Sequence, residues 1–268
     1  MKNNNRKNKP ILVLGGTGHY GWHIVQSLLQ NGEPVRVLSR NAANARKVLG
    51  GKPEIIEGDL TSRESAVESL NGARAVVIAV SAFSWKTIRQ VGLVERDAVL
   101  MVLEEARKAG VSRVVYISVY DIREDLLRKL NIQFKSAWIK FEIEAALARS
   151  DLNWTVLGAA PSMEMFFAMI RGDMMMVPGG GPPALPTVSP VDVGEIAAQT
   201  VLRDDLRGKR FQMTGPEALS FPEATRRISE VTGKAIRFRK IPLFPLKIAS
   251  VLIWPFNPYL RHLLGFVR

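Results

Sequence analysis

The chain contains no cysteine and only three histidines among its 268 residues. Disulfide bridges, thiolate metal sites and thiol catalysis are therefore excluded. His19 and His23 lie four residues apart, a spacing that suits a metal on one helix face, but no acidic third ligand lies nearby in the sequence. We therefore expect no metal site.

Two further absences concern membranes and secretion. No run of about 18 uninterrupted apolar residues occurs, so we expect no segment to span a bilayer. The first ten residues are polar and basic, and the apolar run after them is short, unlike a secretory signal peptide. These features predict a cytoplasmic location.

Acidic residues are missing from both ends of the chain. The formal net charge is +12, and cations within residues 1–10 and 234–268 account for 11 of those units. The body is therefore near neutral, whereas a nucleic-acid-binding protein usually has a basic face on its folded body. We expect no nucleic-acid partner. The basic ends suit another anionic surface, or serve solubility alone.

What the sequence does contain, up to residue 157, is a regular alternation of strand-like and helix-like patterns. The predicted strands are 11–14, 35–38, 55–57, 75–80, 114–117 and 154–157. The predicted helices between them are 20–30, 42–49, 63–70, 91–109 and 137–149. Such alternation predicts an α/β fold, a Rossmann-type doubly wound parallel sheet over residues 10–157, with ligands at the carboxyl ends of its strands.

The pattern changes after residue 157. Residues 178–186 are so rich in Gly and Pro that we expect a loop, and helices are predicted at 193–202, where Asp192 would be the cap, and at 221–232. Short strands are predicted at 211–214 and 236–238. We interpret 158–241 as a small C-terminal cap on the substrate side of the same domain, and 242–268 as a separate tail.

The first strand runs directly into glycines spaced G-x-x-G-x-x-G. Such glycines allow a sharp turn, close approach of backbone to a phosphate, and tight packing of helix on strand. We predict that a dinucleotide diphosphate rests on the N-terminus of the following helix. The residues predicted to bind it are Gly15, Thr17, Gly18, His19, Tyr20 and Gly21. The alternative is a tight turn that binds nothing.

The second strand ends in Ser39 and Arg40, where an acid would bind the ribose 2′-hydroxyl of NAD. An arginine there pairs instead with a 2′-phosphate, so NADP is predicted over NAD unless Arg40 is only a surface residue. After the third strand, Asp59 and Leu60 are placed to bind the adenine edge.

The fourth strand would bring Val80 and Ser81 beside the nicotinamide ribose.

The motifs of the chain, taken together, resemble the NmrA-like group of atypical short-chain dehydrogenases/reductases. The resemblance covers about residues 10–240, and its motifs lie at 15–21, 35–41, 58–61, 109–118, 140–157, 163–164, 188–202 and 211–217. It implies an NAD(P)-binding protein: an oxidoreductase, or a regulator or scaffold that binds the cofactor without turnover.

Reductases of this family commonly use a Tyr-x-x-x-Lys pair, in which the lysine holds the nicotinamide ribose and the tyrosine donates a proton. Lys140 matches the lysine, but Ser136 replaces the tyrosine. The resemblance therefore implies that Lys140 contacts the cofactor, close to Ser118 at the end of the fifth strand. Tyr120 is the phenol that could substitute for the missing one; otherwise it is a packed or surface residue.

A second departure follows the sixth strand, where the family often has Leu-Arg-Pro and this chain has Leu157-Gly158-Ala159-Ala160-Pro161. The resemblance then implies a smaller and less polar wall on the nicotinamide side. The apolar residues that follow are interpreted as core or as the wall of a pocket for an apolar substrate. They are Met163, Met165, Phe166 and Phe167.

The tail, 242–268, is apolar and aromatic with basic flanks and no acid. This composition predicts an element that lies on an anionic membrane, which would place the protein at the inner face of the membrane. The alternative is a tail that packs on the cap or on a second subunit. Two functions remain: an NADP-dependent oxidoreductase of a small apolar molecule, or an NADP-binding sensor or scaffold with no substrate.

Overall fold

A computed structural model describes residues 8–82, 84–129, 135–253, 256 and 258–259. The strands of its main sheet are β1 (Ile11–Leu14), β2 (Val35–Ser39), β3 (Glu54–Glu57), β4 (Ala75–Ile78), β5 (Arg113–Val119), β6 (Trp154–Ala159) and β10 (Lys209–Met213). Their order is β3-β2-β1-β4-β5-β6-β10, and every neighbouring pair is parallel. The predicted Rossmann-type doubly wound parallel sheet is confirmed.

Helices cover both faces of this sheet. In chain order they are α1 (His19–Gln30), α2 (Ala42–Leu49), α3 (Arg63–Leu70), α4 (Ala98–Lys108), α5 (Glu124–Lys129), α6 (Lys135–Arg149) and α8 (Pro190–Val201). All four residues of β1 and of β4 are buried, as expected for strands that are covered on both sides. One core forms between the sheet and α3, α4 and α6, and the other between the sheet, α1 and α8.

The predicted helix 91–109 is confirmed as a helical segment, but it begins as a π-helical stretch at Gly92–Asp97 before it continues as α4, and a 3₁₀ turn at Ile88–Gln90 precedes it. Two local predictions were wrong. The cap of α8 is Ser189, whose side chain accepts from the amide of Val191, so Asp192 lies inside the first turn. Strand β4 ends at Ile78, so Val80 and Ser81 follow it rather than belong to it.

The rest of the segment 158–241 forms small elements around a core of its own. They are α7 (Glu164–Ala168), β7 (Ile170–Arg171), β8 (Met174–Pro178), β9 (Leu185–Pro186), β11 (Ala218–Leu219), α9 (Phe221–Thr232) and β12 (Arg237–Ile241). The core contains Phe166, Met175 and Phe221. In the same segment, α8 and β10 belong to the layers of the main sheet, so the chain leaves that sheet after β6 and returns to it.

The last described helix is α10 (Leu243–Ile253). Beyond it, the main-chain carbonyl of Phe256 accepts a hydrogen bond of 2.8 Å from Arg89. The ring of Tyr259 packs against Trp85 with centroids 5.9 Å apart. The end of the described chain therefore lies beside the loop that follows β4. Among the described residues, no helix has the length and apolar character needed to cross a membrane.

Candidate functional site

The turn between β1 and α1 is built from glycine backbone. Gly15 has φ of +80°, a left-handed conformation, and a Cβ there would lie 2.5 Å from the carbonyl oxygen of Ala79. A Cβ on Gly21 would lie 2.0 Å from the carbonyl oxygen of Gly15, so α1 can start this close to β1 only with glycine at that position. Gly15 thus turns the chain at the end of β1, where the backbone of Ala79 after β4 leaves no space for a side chain.

The N-terminus of α1 is electrostatically open to an anion. No side chain caps it, and its first turn contains no acidic residue. Its first amides and the positive end of the helix dipole therefore have no anionic side chain of their own turn to compensate them. This cradle fits the diphosphate of a nicotinamide dinucleotide.

His19 connects this turn to the segment after β6. Its Nε2 lies 2.9 Å from Ser162 Oγ, and its Nδ1 lies 3.3 Å from a carboxylate oxygen of Glu164. Glu164 therefore lies close to His19 in space although it is distant in the sequence, a contact that the sequence did not indicate. Within the described ranges, no group of three His, Cys, Asp or Glu side chains could hold a metal ion.

Tyr20 is the other side chain of the turn with a defined position. Its hydroxyl donates a 3.3 Å hydrogen bond to the carbonyl of Ala160. Burial and, to a smaller extent, the charge of Glu164 raise the pKa of Tyr20 to about 12. The phenol is therefore neutral at physiological pH and adds no negative charge to the anion cradle.

The predicted adenosine end contains one unpaired cation and one acid. Arg40 is exposed after β2, and it forms no hydrogen bond or ion pair with any described residue. Asp59 Oδ1 accepts from the amide of Thr61 at 2.8 Å and from its hydroxyl at 2.7 Å. Burial acts to raise the pKa of Asp59, but the bonds from Thr61 and the charge of Arg40 together hold it below its usual value.

Ser39 and Leu60 have structural partners at this end. The hydroxyl of Ser39 bonds to the backbone of Asn41, which itself caps α2. Leu60 is partly buried against the core under the sheet. These contacts position the loops around Arg40 and Asp59, and they leave the guanidinium of Arg40 accessible.

At the predicted nicotinamide end of the site, the loop after β4 is held by a buried carboxylate, Glu95, that the sequence patterns did not single out. Glu95 accepts from the hydroxyl of Ser81 at 3.2 Å and from the amide of Ala82 at 2.7 Å. Its second carboxylate oxygen is buried without a hydrogen-bond partner. Val80, in the same loop, is also buried. Glu95 belongs to the π-helical stretch, and its side chain faces the core.

Lys140 belongs to α6, but its side chain points into the core beside the end of β5 rather than into solvent. Its side chain is buried, its Nζ donates to the carbonyl of Ile117 at 3.3 Å, and it lies 5.2 Å from the ring centroid of Tyr116. Burial lowers the pKa of Lys140, and the carboxylates of Glu95 and Glu144 oppose that shift without cancelling it. Lys140 is therefore not a solvated lysine on the helix surface.

The two candidate proton donors differ in their surroundings. Ser136, at the tyrosine position of the family motif, is buried and its hydroxyl has no hydrogen-bond partner. Tyr120 is exposed just past β5, and its hydroxyl makes no hydrogen bond within the described part of the chain. The phenol that does face Lys140 is Tyr116, which is buried; burial raises its pKa well above the usual value. Among the described residues, no hydrogen bond or ring contact joins Tyr120 to Lys140.

Ser118 belongs to an ionic network at the end of β5. Its hydroxyl donates to Glu144, and Glu144 in turn pairs with Arg210 of β10 at 2.8 Å. Arg210 also donates to the carbonyl of Val119 at 2.8 Å. This network joins β5, α6 and β10 and orients Ser118 at the sheet edge.

The same arginine corrects the expectation for the wall after β6. A Cβ on Gly158 would lie 2.8 Å from a guanidinium nitrogen of Arg210 and 2.8 Å from the carbonyl oxygen of Val119. Gly158 therefore leaves room for a charged group that arrives from the neighbouring strand. The wall at this position is not less polar, because Arg210 fills it.

An apolar groove of about 370 Å³ opens between the segment after β6 and α9. Met163 and Phe167 are exposed on its wall, whereas Phe166 is part of the core behind it. Its lining includes none of the residues predicted to lie beside the nicotinamide, such as Ser81 and Lys140.

Two of the missed residues left a signal in the sequence. Glu95 falls four residues after Val91 and four before Val99, so it interrupts an apolar helical stripe. Glu144 is four residues from Lys140 on the same helix. Arg210 left no such signal, because its pairing depends on β10 lying next to β6.

Comparisons with known proteins agree with this geometry. A family model described as NAD(P)H-binding matches residues 15–202. The photosystem II assembly factor Ycf39 of Trieres chinensis is 25% identical over 246 residues, which cover 90% of this chain and 74% of that protein. The NAD(P)H azoreductase of Xenophilus azovorans is 25% identical, with coverages of 89% and 79%.

A solved structure of the Citrobacter sp. triphenylmethane reductase in complex with NADP(H) matches with a TM-score of 0.75 and 19% identity. The match covers 96% of this chain and 89% of that one, and it shows the shared fold. The chain belongs to the NAD(P)H-binding family, and its predicted place in the NmrA-like group of atypical short-chain dehydrogenases/reductases is confirmed. It is an NAD(P)H-binding protein with oxidoreductase homologues.

Proposed function

We propose that the protein is an oxidoreductase that uses NADP(H) in preference to NAD(H) and acts on a small, rather apolar molecule. The observation that carries the cofactor preference is Arg40, an exposed guanidinium without an ion-pair partner in the described residues, at the end of β2. A 2′-phosphate would give it a charge-assisted, bidentate partner that NAD lacks.

The residues divide the binding of the cofactor between them. The amides of α1 would hold the diphosphate, Arg40 the 2′-phosphate and Asp59 the amino group of the adenine. Lys140 and Ser118, which are held by Ile117 and Glu144, would contact the nicotinamide end. When bound, the nicotinamide supplies or accepts the hydride. The protein contributes orientation and a partly water-excluded edge.

The apolar substrate is supported by two observations. Met163 and Phe167 present exposed apolar surface on the segment that follows β6. A relative of similar length is named an NAD(P)H azoreductase, a name that describes reduction of aromatic azo compounds.

A second function is favoured by the surroundings of Lys140. The lysine faces a buried phenol, and the tyrosine of the family motif is replaced by a buried serine. Among the described residues, no solvent-accessible proton donor therefore contacts the lysine. A sensor or scaffold that binds NADP without turnover would need no such acid, and one relative carries the name of an assembly factor.

Titration calorimetry of the purified chain with NADPH and NADH tests the cofactor assignment. We expect NADPH to bind more tightly, and Arg40→Ala to weaken NADPH about tenfold or more while NADH affinity changes little, since hydrogen bonds to charged groups contribute about 1.5–3 kcal/mol. Arg46→Ala, an exposed arginine of α2, is the matched control. Absence of binding by either dinucleotide to the folded chain would overturn the proposal.

Turnover separates the two functions. NADPH oxidation is followed by absorbance against a panel of azo dyes, quinones and aldehydes, with Lys140→Met as the control. Oxidation that the variant loses, with its circular dichroism unchanged, supports the oxidoreductase. Tight NADPH binding with no oxidation by any member of the panel supports the sensor or scaffold.

A further inference from the structure

Helix α10 carries apolar side chains on both of its faces. Phe244, Ile248, Val251 and Leu252 recur at helical spacing and are between 46% and 73% exposed; we call them the outer face. On the other side of the helix, Leu246 and Ile253 are partly buried and Ser250 is buried. A helix that is apolar all round is normally covered all round, so the outer face lacks the cover its composition calls for.

The apolar surface continues past the end of α10. Phe256 is 80% exposed, and its carbonyl is held by Arg89. Tyr259 packs on Trp85, which is itself an exposed aromatic side chain. Exposed apolar side chains therefore occur on α10, at Phe256 and at Trp85 in the loop after β4. Large exposed apolar patches mark interaction sites.

The charged residues of α10 and of the strand directly before it are positive at three exposed positions. Lys247 lies on α10, and Arg239 and Lys240 lie on β12 directly before it; all three are exposed. None of them forms an ion pair with another described residue. In the sequence, no acid follows Glu230. The occupant of the outer face must therefore combine apolar and anionic groups.

We propose that the outer face of α10 docks on the surface of an anionic lipid bilayer. The aromatic and aliphatic side chains would enter the boundary between headgroups and acyl chains, and the cations would contact the headgroups. A second copy of the chain fits less well, because it would bring its own net charge of +12 against the same cations. Helix α10 has 11 residues, which suits lying in the interface rather than crossing it.

Flotation of the full chain with lipid vesicles tests this surface. The vesicles are phosphatidylcholine mixed with phosphatidylglycerol, or phosphatidylcholine alone, each at low and high salt. We expect binding to the anionic vesicles that weakens at high salt and is weak without phosphatidylglycerol. The substitution Phe244→Ser/Val251→Ser/Leu252→Ser is expected to lower that affinity at least tenfold.

A matched control variant removes the same number of exposed apolar side chains as the α10 variant, but from other parts of the surface. Val48→Ser/Val67→Ser/Val231→Ser removes three exposed valines outside α10 and is expected to bind like the original chain. A second variant, Arg239→Gln/Lys240→Gln, tests the charge without touching α10. It is expected to lower the affinity for anionic vesicles by up to about 25-fold, at about fivefold for each of the two cations near the surface.

Three outcomes would overturn the proposal: no binding to either vesicle, equal binding of the original chain and the serine variant of α10, or a second copy of the chain covering the outer face of α10. Analytical ultracentrifugation detects this third outcome as a dimer that the serine variant of α10 converts to a monomer. NADPH affinity of each variant is measured alongside. It is expected to stay unchanged, so failure of docking and failure of the proposed function remain distinguishable.

Discussion

At the scale of single residues, three charged side chains lie in the core or at its edge near the ends of the strands, and each has a partner. Glu95 accepts from the amide of Ala82, Lys140 donates to the carbonyl of Ile117, and Glu144 pairs with Arg210. Arg210 is central, because it neutralises Glu144 and fills the space over Gly158. A buried or half-buried ion pair of this kind is costly to break from one side, since the remaining charge stays desolvated.

Arg210→Met should therefore lower the free energy of unfolding by about 2 kcal/mol, less than for a fully buried pair because both side chains keep some solvent contact. Urea unfolding measures the change. Arg203→Met is the control: both Arg203 and its partner Asp205 are exposed, so the expected loss is much smaller than for Arg210→Met. Equal losses in the two variants would contradict the role given to Arg210.

Tyr20 gives a pH dependence with a defined sign. Its pKa is about 12 in the folded chain, against about 10 for an unperturbed phenol. Below pH 10 the phenol is protonated in both states, and its contribution to stability is complete. Above that pH the unfolded chain ionises first, so the contribution is lost as the pH rises toward 12.

The measurable quantity is the difference in unfolding free energy between the original chain and Tyr20→Phe across this pH range. It should shift against the original chain by about 1 kcal/mol per pH unit between these limits. Urea unfolding at a series of pH values gives that difference directly. A difference that does not change with pH would show that Tyr20 is not buried in this way.

At the scale of elements, the turn from β1 into α1 is determined by how closely the helix approaches the strand. Gly21 has no room for a Cβ, whereas the positive-φ residue Gly32, at the other end of α1, faces open space. The two glycines are therefore needed for different physical reasons: one for space, the other for backbone conformation.

Gly21→Ala should cost about 3 kcal/mol of unfolding free energy through overpacking, and it should abolish dinucleotide binding. Gly32→Ala should cost only about 1 kcal/mol, the strain of a left-handed alanine, and leave binding intact. Urea unfolding and calorimetry with NADPH measure both effects. If Gly21→Ala costs no more than Gly32→Ala, the close approach of α1 to Gly15 is not essential.

At the scale of the whole molecule, the main sheet is completed by residues far apart in the chain. Strand β10 pairs with β6, and α8 covers the same face as α1. A Cβ on Gly194 of α8 would lie 2.6 Å from the main chain of His23, so the two helices are in close contact. The segment 158–241 therefore contributes to the stability of the sheet, as well as forming the small elements beside it.

This organisation predicts one cooperative unfolding transition. Far-ultraviolet circular dichroism and tryptophan fluorescence should give coincident urea curves, because β10 completes one edge of the sheet and α8 covers one of its faces. A chain ending at residue 157 should not fold, since it exposes the core that α8 covers. Separate transitions, or a folded truncation, would favour an independent domain at residues 10–157.

Much of this protein could be read from local patterns. The bounds of β1, α2 and α3 match the predictions, because apolar runs, an Asn41 or Ser62 cap, and glycines or an Asn-Gly pair at the ends are local signals. The helix predicted at 91–109 forms, but its π-helical start at Gly92–Asp97 could not be distinguished by pattern alone. The partner of Glu95 in that stretch, the amide of Ala82, is likewise set by the tertiary fold.

The sequence by itself determined the alternating fold, the glycine turn and the identity of the family, since each depends on the order and spacing of neighbouring residues. Only the tertiary structure decided which charges meet. Glu164 reaches His19, and Arg210 covers Gly158, because strands and loops distant along the chain become neighbours in the sheet and beside it. Pairings of this kind depend on packing across the fold, and no local pattern encodes them.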